Sequence, residues 1–340
     1  MKCVVTGGGG FVGKALCHRL HGAGHSVLAL ARSQYPELER GGVSTAQVDL
    51  SIDPDSYSHL LQGVDAVFHV ASKVDMWGEP EAFMRNNVTA TKNLLRACQA
   101  QNVPYLIYTS TPSVVADGTN IRGVDESYPV ARSHTAHYPA TKALAEKLVR
   151  NASHEYGVRT IALRPHLIWG PGDTHLIPTI IRRARSGQLS IVGKGNNIVD
   201  VCYIDDCVSA HVLALSALQN TPDLDGNVYF ISQDEPVQLW EFINQVLTRS
   251  GLDPITRKVP YAPAYTLAHL FELGARLCGN RFEPRLTRFI VSEMATDHYF
   301  DISAARKDLG FAPSVSIAEG LDRTFGCTAT TSAAQPRKVA

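Results

Sequence analysis

A short apolar strand at the N-terminus runs directly into a glycine-rich turn and then into a helix. Lys2 to Thr6 forms the strand, Gly7 to Gly13 carries the glycines, and apolar residues then recur at helical spacing. Such a turn lets the backbone approach a pyrophosphate closely, and the helix N-terminus faces the negative charge. The order therefore predicts a dinucleotide site at the start of a parallel sheet. The residues expected to contact the cofactor here are Gly7, Gly10, Phe11, Val12 and Gly13.

Strand and helix patterns continue to alternate over the first half of the chain, with apolar strands predicted at 26–30, 46–48, 66–70, 105–109 and 158–163. This alternation is typical of the α/β class and predicts a Rossmann-type doubly wound parallel sheet over residues 1–165. The rhythm then breaks down, which predicts a smaller mixed α/β C-terminal substrate lobe over 166–325. Segments around 193–215 are expected to rejoin the first domain. The Thr/Ser/Ala-rich tail 327–340 is expected to be disordered.

The end of the second predicted strand indicates which dinucleotide is used. A site for NAD places a carboxylate there to hold the adenosine ribose, but this chain reads Ala31-Arg32-Ser33. A guanidinium suits a 2′-phosphate because it offers charge-assisted, bidentate hydrogen bonds. We therefore expect NADP(H) to be preferred, with NAD(H) as the alternative. Further cofactor contacts are expected at later strand ends, from Asp49, Leu50 and Ala71.

Tyr138 and Lys142 lie four residues apart at the start of a predicted helix, so their side chains share one face. Pro139 is tolerated there only within the first helical turn. A phenol with an ordinary pKa near ~10 is a poor acid–base catalyst at neutral pH, and a nearby cation favours the phenolate. The pair therefore predicts a catalytic tyrosine whose pKa is lowered by the lysine. Thr111, at the carboxyl end of the fifth predicted strand, is the candidate second catalytic hydroxyl.

Composition argues against several classes of partner. Lys plus Arg equals Asp plus Glu at 32 each, so there is no basic field that predicts nucleic-acid binding. No run approaches ~18 uncharged apolar residues, which argues against a transmembrane segment. The apolar pattern at 263–277 is compatible with a half-buried helix, a pocket lid or peripheral membrane contact.

Cysteine and histidine spacing predicts neither disulfides nor a metal site. The seven cysteines are scattered without the spacing of a zinc site, which favours reduced thiols in a cytoplasmic protein. The strand that begins at Lys2 leaves no room for a signal peptide. His69, at the end of the fourth strand, has no partner at ligand spacing and is interpreted as a buried structural histidine.

Three motifs in this order resemble the extended short-chain dehydrogenase/reductases: Thr6-Gly7-x-x-Gly10-x-x-Gly13, Thr111 and Tyr138-x-x-x-Lys142. The likeness spans about residues 2–325. Within that superfamily, Tyr108-Thr-Ser-Thr111 and Arg164-Pro-His-x-Ile-Trp-Gly170-Pro-Gly are similar to the 3β-hydroxysteroid dehydrogenase branch. The run from Leu176-Ile-Pro178 to Asp206 is similar to sterol-4-carboxylate 3-dehydrogenases and to bacterial 2-alkyl-3-oxoalkanoate reductases of long-chain olefin biosynthesis.

The resemblance implies a role for each matching residue. Tyr138 would be the general acid in reduction and the base in oxidation, and Lys142 would bind the nicotinamide ribose and lower the tyrosine pKa. Thr111 would hydrogen-bond the substrate oxygen. Asn87 and Pro165 would line the cofactor groove. A homodimer that pairs through the helices at 82–101 and 138–156 is also implied.

The reaction implied is NAD(P)(H)-dependent reduction of a small-molecule hydrophobic substrate, a 2-alkyl-3-oxoalkanoic acid, to the 2-alkyl-3-hydroxy acid. The alternatives are a 3β-hydroxysteroid or sterol-4-carboxylate 3-dehydrogenase, a nucleotide-sugar epimerase or dehydratase, and a catalytically silent NADP(H)-sensing protein. The apolar residues Leu167, Ile168, Trp169, Leu176 and Ile177 argue against a sugar site, and the Tyr138/Lys142 pair argues against a sensor. Candidate substrate contacts are Trp77, Ser113, His166 and Trp169, and the candidate partners of the substrate carboxylate are His166, Arg164 and Arg132.

Overall fold

The fold is organised around a parallel sheet, in a computed structural model that describes residues 1–279 and 282–326. The tail predicted to be disordered lies outside the described residues. The strands are β1 Lys2–Thr6, β2 Ser26–Ala31, β3 Ser44–Gln47, β4 Ala66–His69, β5 Tyr105–Thr109, β6 Ile121–Val124, β7 Arg159–Pro165, β8 Ile168–Trp169, β9 Ile191–Val192, β10 Ile198–Val199, β11 Cys202–Tyr203, β12 Asn227–Ile231, β13 Val237–Gln238, β14 Lys258–Val259 and β15 His298–Phe300.

Helices connect these strands and cover the sheet. They are α1 Phe11–Gly22, α2 Pro36–Arg40, α3 Pro80–Phe83, α4 Ala90–Ala100, α5 His137–Arg150, α6 Ala152–Tyr156, α7 Leu176–Arg185, α8 Ile204–Asn220, α9 Leu239–Arg249, α10 Tyr261–Leu277, α11 Arg288–Glu293, α12 Ser303–Leu309 and α13 Ile317–Phe325. A π-helical turn at Met84–Thr89 joins α3 to α4, and a short 3₁₀ turn at Pro112–Val114 follows β5.

Seven strands form the large sheet in the order β12-β7-β5-β4-β1-β2-β3, and every neighbouring pair is parallel. Successive residues of a strand point to opposite faces, so Val4 of β1 packs into one core while Cys3 and Val5 pack into the other. Both faces are therefore buried, as expected for a doubly wound sheet. The strand order reverses between β1 and β4, which opens the crevice where such sheets bind ligands.

The remaining strands build a smaller mixed lobe, in which a four-stranded sheet has the order β13-β10-β15-β6. The boundary between the two parts does not follow the chain as predicted. β6 comes from the first half of the chain but pairs with β15, while α8 and β12 return to the large sheet. The returning segment thus runs over 204–231 rather than around 193–215, because β12 completes the sheet edge beside β7.

Within the described residues, no helix is long and apolar enough to cross a membrane. The six cysteines that lie there are all free thiols, and only Cys278 is exposed.

Candidate active site

The glycine turn lies at the point where the sheet order reverses. Gly7 has a φ of +67°, and a Cβ at this position would lie 2.8 Å from the backbone of Ala71, which follows β4. A Cβ on Gly13 would lie 2.1 Å from the Gly7 carbonyl oxygen. Glycine is therefore required at both positions, by conformation at the first and by close packing at the second. No described side chain caps α1, and its first turn holds no acidic residue, so its free N–H groups suit an anion.

A cleft of about 840 Å³ extends from this turn across the carboxyl ends of the strands. It collects most of the residues predicted to bind the cofactor, including Arg32 at the end of β2 and Pro165 at the end of β7. The predicted residues that line it are Gly7, Gly10, Phe11, Val12, Gly13, Arg32, Asp49, Leu50, Ala71, Thr111, Ser113, Tyr138, Lys142, Pro165 and His166.

Thr111, Tyr138 and Lys142 lie together in the middle of the cleft. α5 begins at His137, so Pro139 falls in its first turn and Tyr138 and Lys142 are one turn apart. The Thr111 and Tyr138 side chains both line the cleft, and Thr111 lies close enough to the phenol to favour a lower Tyr138 pKa. The Thr111 hydroxyl also lies 3.2 Å from the Ser113 Oγ, and the Ser113 backbone N–H donates to it. These contacts hold the Thr111 and Ser113 hydroxyls side by side just after the end of β5.

Lys142 contacts the sheet instead of the Tyr138 phenol. Its ammonium donates to the Thr109 carbonyl oxygen at 2.6 Å and lies 4.2 Å from the centre of the Tyr108 ring. Burial lowers the pKa of Lys142 to about 7, and burial raises the pKa of Tyr138 to about 12, an effect that the nearby Thr111 side chain partly offsets. Burial, which disfavours the phenolate, is therefore the largest influence on the Tyr138 pKa, and the lowering of that pKa by Lys142 stays a prediction.

A buried ion pair holds α5 against the sheet directly behind this group. Arg164 of β7 donates to both carboxylate oxygens of Glu146, at 2.9 and 2.6 Å, and Ser110 donates to the same carboxylate at 2.6 Å. The Arg164 and Glu146 side chains are only 1% and 2% exposed. Glu146 lies one turn after Lys142, so the pair fixes the helix that carries the catalytic candidates.

Five predicted site residues lie outside the cleft: Arg164 is buried in its pair with Glu146, Arg132 is exposed, and the other three are Asn87, Trp169 and Trp77. Asn87 is buried in the π-helical turn, where its amide binds the Lys73 backbone and the Thr141 hydroxyl. Asn87 therefore holds in place the segment that forms this wall of the cleft, and its neighbour Asn86 lines the cleft. Trp169 is fully buried, since it alternates along β8 with the cleft-lining Ile168 and packs against Tyr203 and Phe242.

Trp77, the third of these residues, is half-buried beside the cleft. The Arg276 guanidinium of α10 lies 5.8 Å from its ring centre. It therefore ties the loop after β4 to α10 rather than facing the space where a ligand would bind.

His69 is held by hydrogen bonds on both ring nitrogens. Nδ1 lies 2.8 Å from the Thr6 hydroxyl and Nε2 lies 2.9 Å from the Thr91 hydroxyl, which itself donates to the Asn87 carbonyl oxygen. Burial lowers the pKa of His69 to about 3, and the Lys142 charge adds to this. These contacts describe a neutral histidine that joins β1, β4 and α4.

One end of the cleft is mostly apolar, although Arg182, Arg183 and Glu283 also line it. Its apolar side chains come from the loop after β7, from α7, from α9 and from α11, and they are Leu167, Ile168, Leu176, Ile180, Leu189, Leu239, Phe242, Ile243, Phe289, Ile290 and Met294. A lining of this kind favours a large hydrophobic ligand over a sugar.

Polar groups at this end cluster around His166. His166 Nε2 lies 3.2 Å from His298 Nδ1, and His298 Nε2 lies 2.8 Å from the Glu293 carbonyl oxygen. The two histidines and the Glu293 carboxylate have ligand-type atoms within 4.8 Å of one another. Three of the four ring nitrogens already have a partner in these hydrogen bonds.

Sequence reasoning missed His298 and Glu293, which lie more than a hundred residues after the predicted site. No local pattern marks either residue, because His298 reaches the cleft through the pairing of β15 with β6 and β10, and Glu293 lies at the end of α11 shortly before that strand. Glu146 and Arg164 could have been paired from the sequence, since both lie in quoted motifs and a buried arginine requires a carboxylate partner.

Comparison with known proteins gives a family and a range of activities. The model of the 3-beta hydroxysteroid dehydrogenase/isomerase family matches residues 4–260. The chain is 44% identical to the 2-alkyl-3-oxoalkanoate reductase of Shewanella oneidensis, over 94% of this chain and 84% of that protein. It is 34% identical to the mouse (Mus musculus) sterol-4-alpha-carboxylate 3-dehydrogenase, decarboxylating, over 95% of this chain and 90% of that one.

The fold also matches solved structures. A UDP-glucuronic acid 4-epimerase from Bacillus cereus, in complex with NAD, superposes with a TM-score of 0.73. The match covers 96% of this chain and 97% of the epimerase, at 23% identity. At that level of identity the likeness concerns the fold alone, and it agrees with the predicted Rossmann-type sheet.

Proposed function

This chain belongs to the 3-beta hydroxysteroid dehydrogenase/isomerase family, and we propose that it is an NADP(H)-dependent oxidoreductase that reduces 2-alkyl-3-oxoalkanoic acids to 2-alkyl-3-hydroxy acids. The observation that carries this proposal is the position of the Thr111–Tyr138 pair. The two hydroxyls lie in one cleft, with the glycine turn on one side and the apolar side chains on the other. The names of the relatives supply the substrate class.

Thr111, Tyr138 and Lys142 have separate roles in the proposed reaction. Thr111 and Tyr138 donate hydrogen bonds to the ketone oxygen and stabilise the charge that develops there. The pKa of Tyr138, about 12, keeps the phenol protonated at neutral pH, so it can give its proton to the forming alkoxide. Lys142 is buried beside it and, with its pKa near 7, is able to exchange a proton with its surroundings.

The glycine turn and the residues around it fit a nicotinamide dinucleotide. Gly7 and Gly13 leave a cradle that a Cβ would fill, and the uncapped start of α1 faces it. Pro165, Tyr138 and Lys142 lie where the nicotinamide end would reach the middle of the cleft. When bound, the dinucleotide would supply the hydride for ketone reduction.

Preference for NADP(H) follows from Arg32. Its side chain is exposed in the cleft at the end of β2, and its Nη1 donates to Asn86 at 3.2 Å. Asp49, the nearby carboxylate, already accepts from the Ser51 N–H and hydroxyl, which lower its pKa. Because Asp49 already has hydrogen-bond partners, the Arg32 guanidinium is the better-placed of the two groups to bind the adenosine ribose. It would also suit a 2′-phosphate on that ribose.

Arg32→Ala is expected to weaken NADPH binding roughly 10- to 100-fold while NADH binding changes little, since one charge-assisted contact to phosphate is lost. Fluorescence titration of both cofactors measures this. Arg85→Ala is the matched control: Arg85 also lies close enough to lower the pKa of Asp49, but it does not line the cleft. Equal weakening of both cofactors in Arg32→Ala would contradict the assignment.

Three other activities remain as rivals. A sterol-4-carboxylate dehydrogenase would use the same side chains on a ketone that also lies near a carboxyl group. A nucleotide-sugar epimerase shares the fold, but the apolar end of the cleft argues against a sugar ligand. An NADP(H) sensor would have no need of the Thr111–Tyr138 pair.

A panel of alcohols tests the proposal in the oxidative direction, which avoids β-keto acids that decarboxylate spontaneously. The panel contains a long-chain 2-alkyl-3-hydroxy acid, a 3β-hydroxysteroid and a nucleotide sugar, each followed by the absorbance of the reduced nicotinamide. The proposal expects turnover of the acid with NADP⁺. Turnover of the steroid alone would move the chain to the sterol activity, and turnover of none would leave the sensor.

The homodimer through α4 and α5 stays a prediction, and the mass in solution scattering tests it.

A further inference from the structure

A ring nitrogen in the apolar end of the cleft has no partner within the described residues. It is Nδ1 of His166, a residue only 6% exposed. Whether this nitrogen carries a proton depends on the hydrogen bonds that the other ring nitrogen of His166 makes. A carbonyl oxygen only accepts, so His298 donates through Nε2 to the Glu293 carbonyl oxygen, and neutral His298 accepts at Nδ1 from His166 Nε2. With both rings neutral, His166 therefore carries its proton on Nε2 and presents a lone pair at Nδ1.

The backbone around His166 is fixed in an unusual conformation. Leu167 has a φ of +42°, a region that costs free energy for a residue with a side chain. The chain is held there by two backbone hydrogen bonds, from His166 N–H to the Ile231 carbonyl and from Cys202 N–H to the Leu167 carbonyl. Leu167 thus keeps an unfavourable backbone conformation directly beside His166, whose side chain lines the cleft.

Strand register places His166 beside the catalytic candidates. Thr109 of β5 is paired with Leu163 of β7, and the Ser110 N–H donates to the Leu163 carbonyl at 2.6 Å. Thr111 and His166 follow directly at the ends of these neighbouring strands, and both line the cleft. A substrate ketone held by Thr111 and Tyr138 would therefore have its near substituents on the side of the cleft that His166 lines.

In a 3-oxo acid, one carbon separates the ketone from the carboxyl group, so any residue that reads the carboxyl group must lie next to Thr111 and Tyr138. Arg164 is excluded, since it is buried in its pair with Glu146. Arg132 is exposed and outside the cleft. Arg183 lines the cleft but lies on α7 two turns beyond Leu176. Lys73 and Arg182 also line the cleft, but His166 is the residue that directly follows β7, the strand paired with β5 beside Thr111.

We propose that His166 Nδ1 forms the subsite for the substrate carboxyl group and that one proton enters the cleft with the substrate. This inference rests on the proposed function. A carboxylate has no proton to donate and Nδ1 has none either, so the two lone pairs require one proton from solvent between them. No bond of the substrate changes in this step. Selectivity for acids over simple ketones then follows, because a ligand without the carboxyl group leaves the buried nitrogen unpaired.

Three titratable groups surround the subsite. His298 is the hydrogen-bond partner of His166, and the Glu293 carboxylate lies 3.9 Å from His298 Nε2. The Asp200 carboxylate accepts a hydrogen bond from the backbone N–H of Phe300, which lies on the same strand as His298. Burial raises the pKa of Asp200 to about 7. Proton uptake must therefore be assigned to His166 by a variant and not by a pH profile alone.

The first test compares a 2-alkyl-3-hydroxy acid with the matching secondary alcohol that lacks the carboxyl group. His166→Leu is expected to lower kcat/KM for the acid roughly 10- to 100-fold, the value of one charge-assisted hydrogen bond, while kcat/KM for the plain alcohol does not fall, because the substitution also removes the nitrogen that this substrate leaves unpaired. His154→Leu, an exposed histidine on α6 outside the cleft, is the matched control. Equal losses for both substrates, or no loss, would overturn the subsite. Turnover that is abolished by a chelator and restored by Zn²⁺ would also overturn it, because a metal would then hold these nitrogens.

The second test does not depend on turnover. Calorimetry in buffers of different ionisation enthalpy measures proton uptake when the hydroxy acid binds the dead-end complex of the protein with NADPH. Wild type is expected to take up about one proton more than His166→Leu. No difference would overturn the subsite even if the acid is a good substrate. A wild-type protein that binds the acid with this uptake but oxidises no alcohol would instead refute the proposed function and leave the subsite supported.

Discussion

Tyr138→Phe is expected to lower kcat about 10²- to 10⁴-fold, the range for loss of a general acid–base group. The substitution removes only the phenol oxygen, which lies in the cleft with Thr111 and would protonate the ketone oxygen. The ring stays in the first turn of α5, so NADPH binding and thermal stability should be nearly unchanged. Steady-state oxidation of the 2-alkyl-3-hydroxy acid and a cofactor titration measure the two quantities.

Tyr156→Phe provides the control for this experiment, since it removes a phenol oxygen from α6, which lies outside the cleft. It should oxidise the acid like wild type. Full activity in Tyr138→Phe would contradict the mechanism. A joint loss of activity and cofactor binding would assign Tyr138 to cofactor binding instead of proton transfer.

Glu146→Ala is expected to lower the free energy of unfolding by about 3–5 kcal/mol, as measured by urea denaturation. The substitution leaves the Arg164 charge buried without its bidentate partner, and it also removes the acceptor of Ser110. The same contacts hold the end of β5 and the middle of α5 together. Activity should therefore fall even at temperatures where the variant is folded.

An exposed ion pair gives the comparison for Glu146. Glu319 and Arg323 form an i,i+4 pair on α13 in which both side chains are nearly half exposed. Glu319→Ala should cost less than about 1 kcal/mol, because solvent screens the pair. Similar losses in the two variants would mean that burial of Glu146 contributes nothing special.

The parts of the site that could be predicted from the sequence depend on local patterns. The turn from Gly7 to Gly13 lies between a strand and a helix whose periods are both visible, and β5 runs over 105–109 as predicted. Tyr138 and Lys142 belong to one helix, so their spacing alone places them on one face. Parallel strands then bring the predicted strand ends to one edge of the sheet.

The parts that could not be predicted depend on contacts between distant segments. β15 reaches the cleft by pairing with β6, across more than 170 residues, and it carries His298. Trp169 was predicted to touch substrate, but a two-residue strand pairing with β11 turns its ring into the core. The direction of the Tyr138 pKa shift likewise depends on burial, which neighbours in the sequence do not reveal.

Label transfer tests the central claim most directly. A 2-alkyl-3-hydroxy acid that carries deuterium on carbon 3 is incubated with the wild-type protein and NADP⁺, and the reduced nicotinamide is analysed by mass spectrometry. The proposed function predicts that the deuterium is recovered in the reduced nicotinamide and that Tyr138→Phe slows its appearance by the same factor as kcat. Deuterium that stays in the acid, while a nucleotide sugar or a 3β-hydroxysteroid reduces the cofactor, would contradict it.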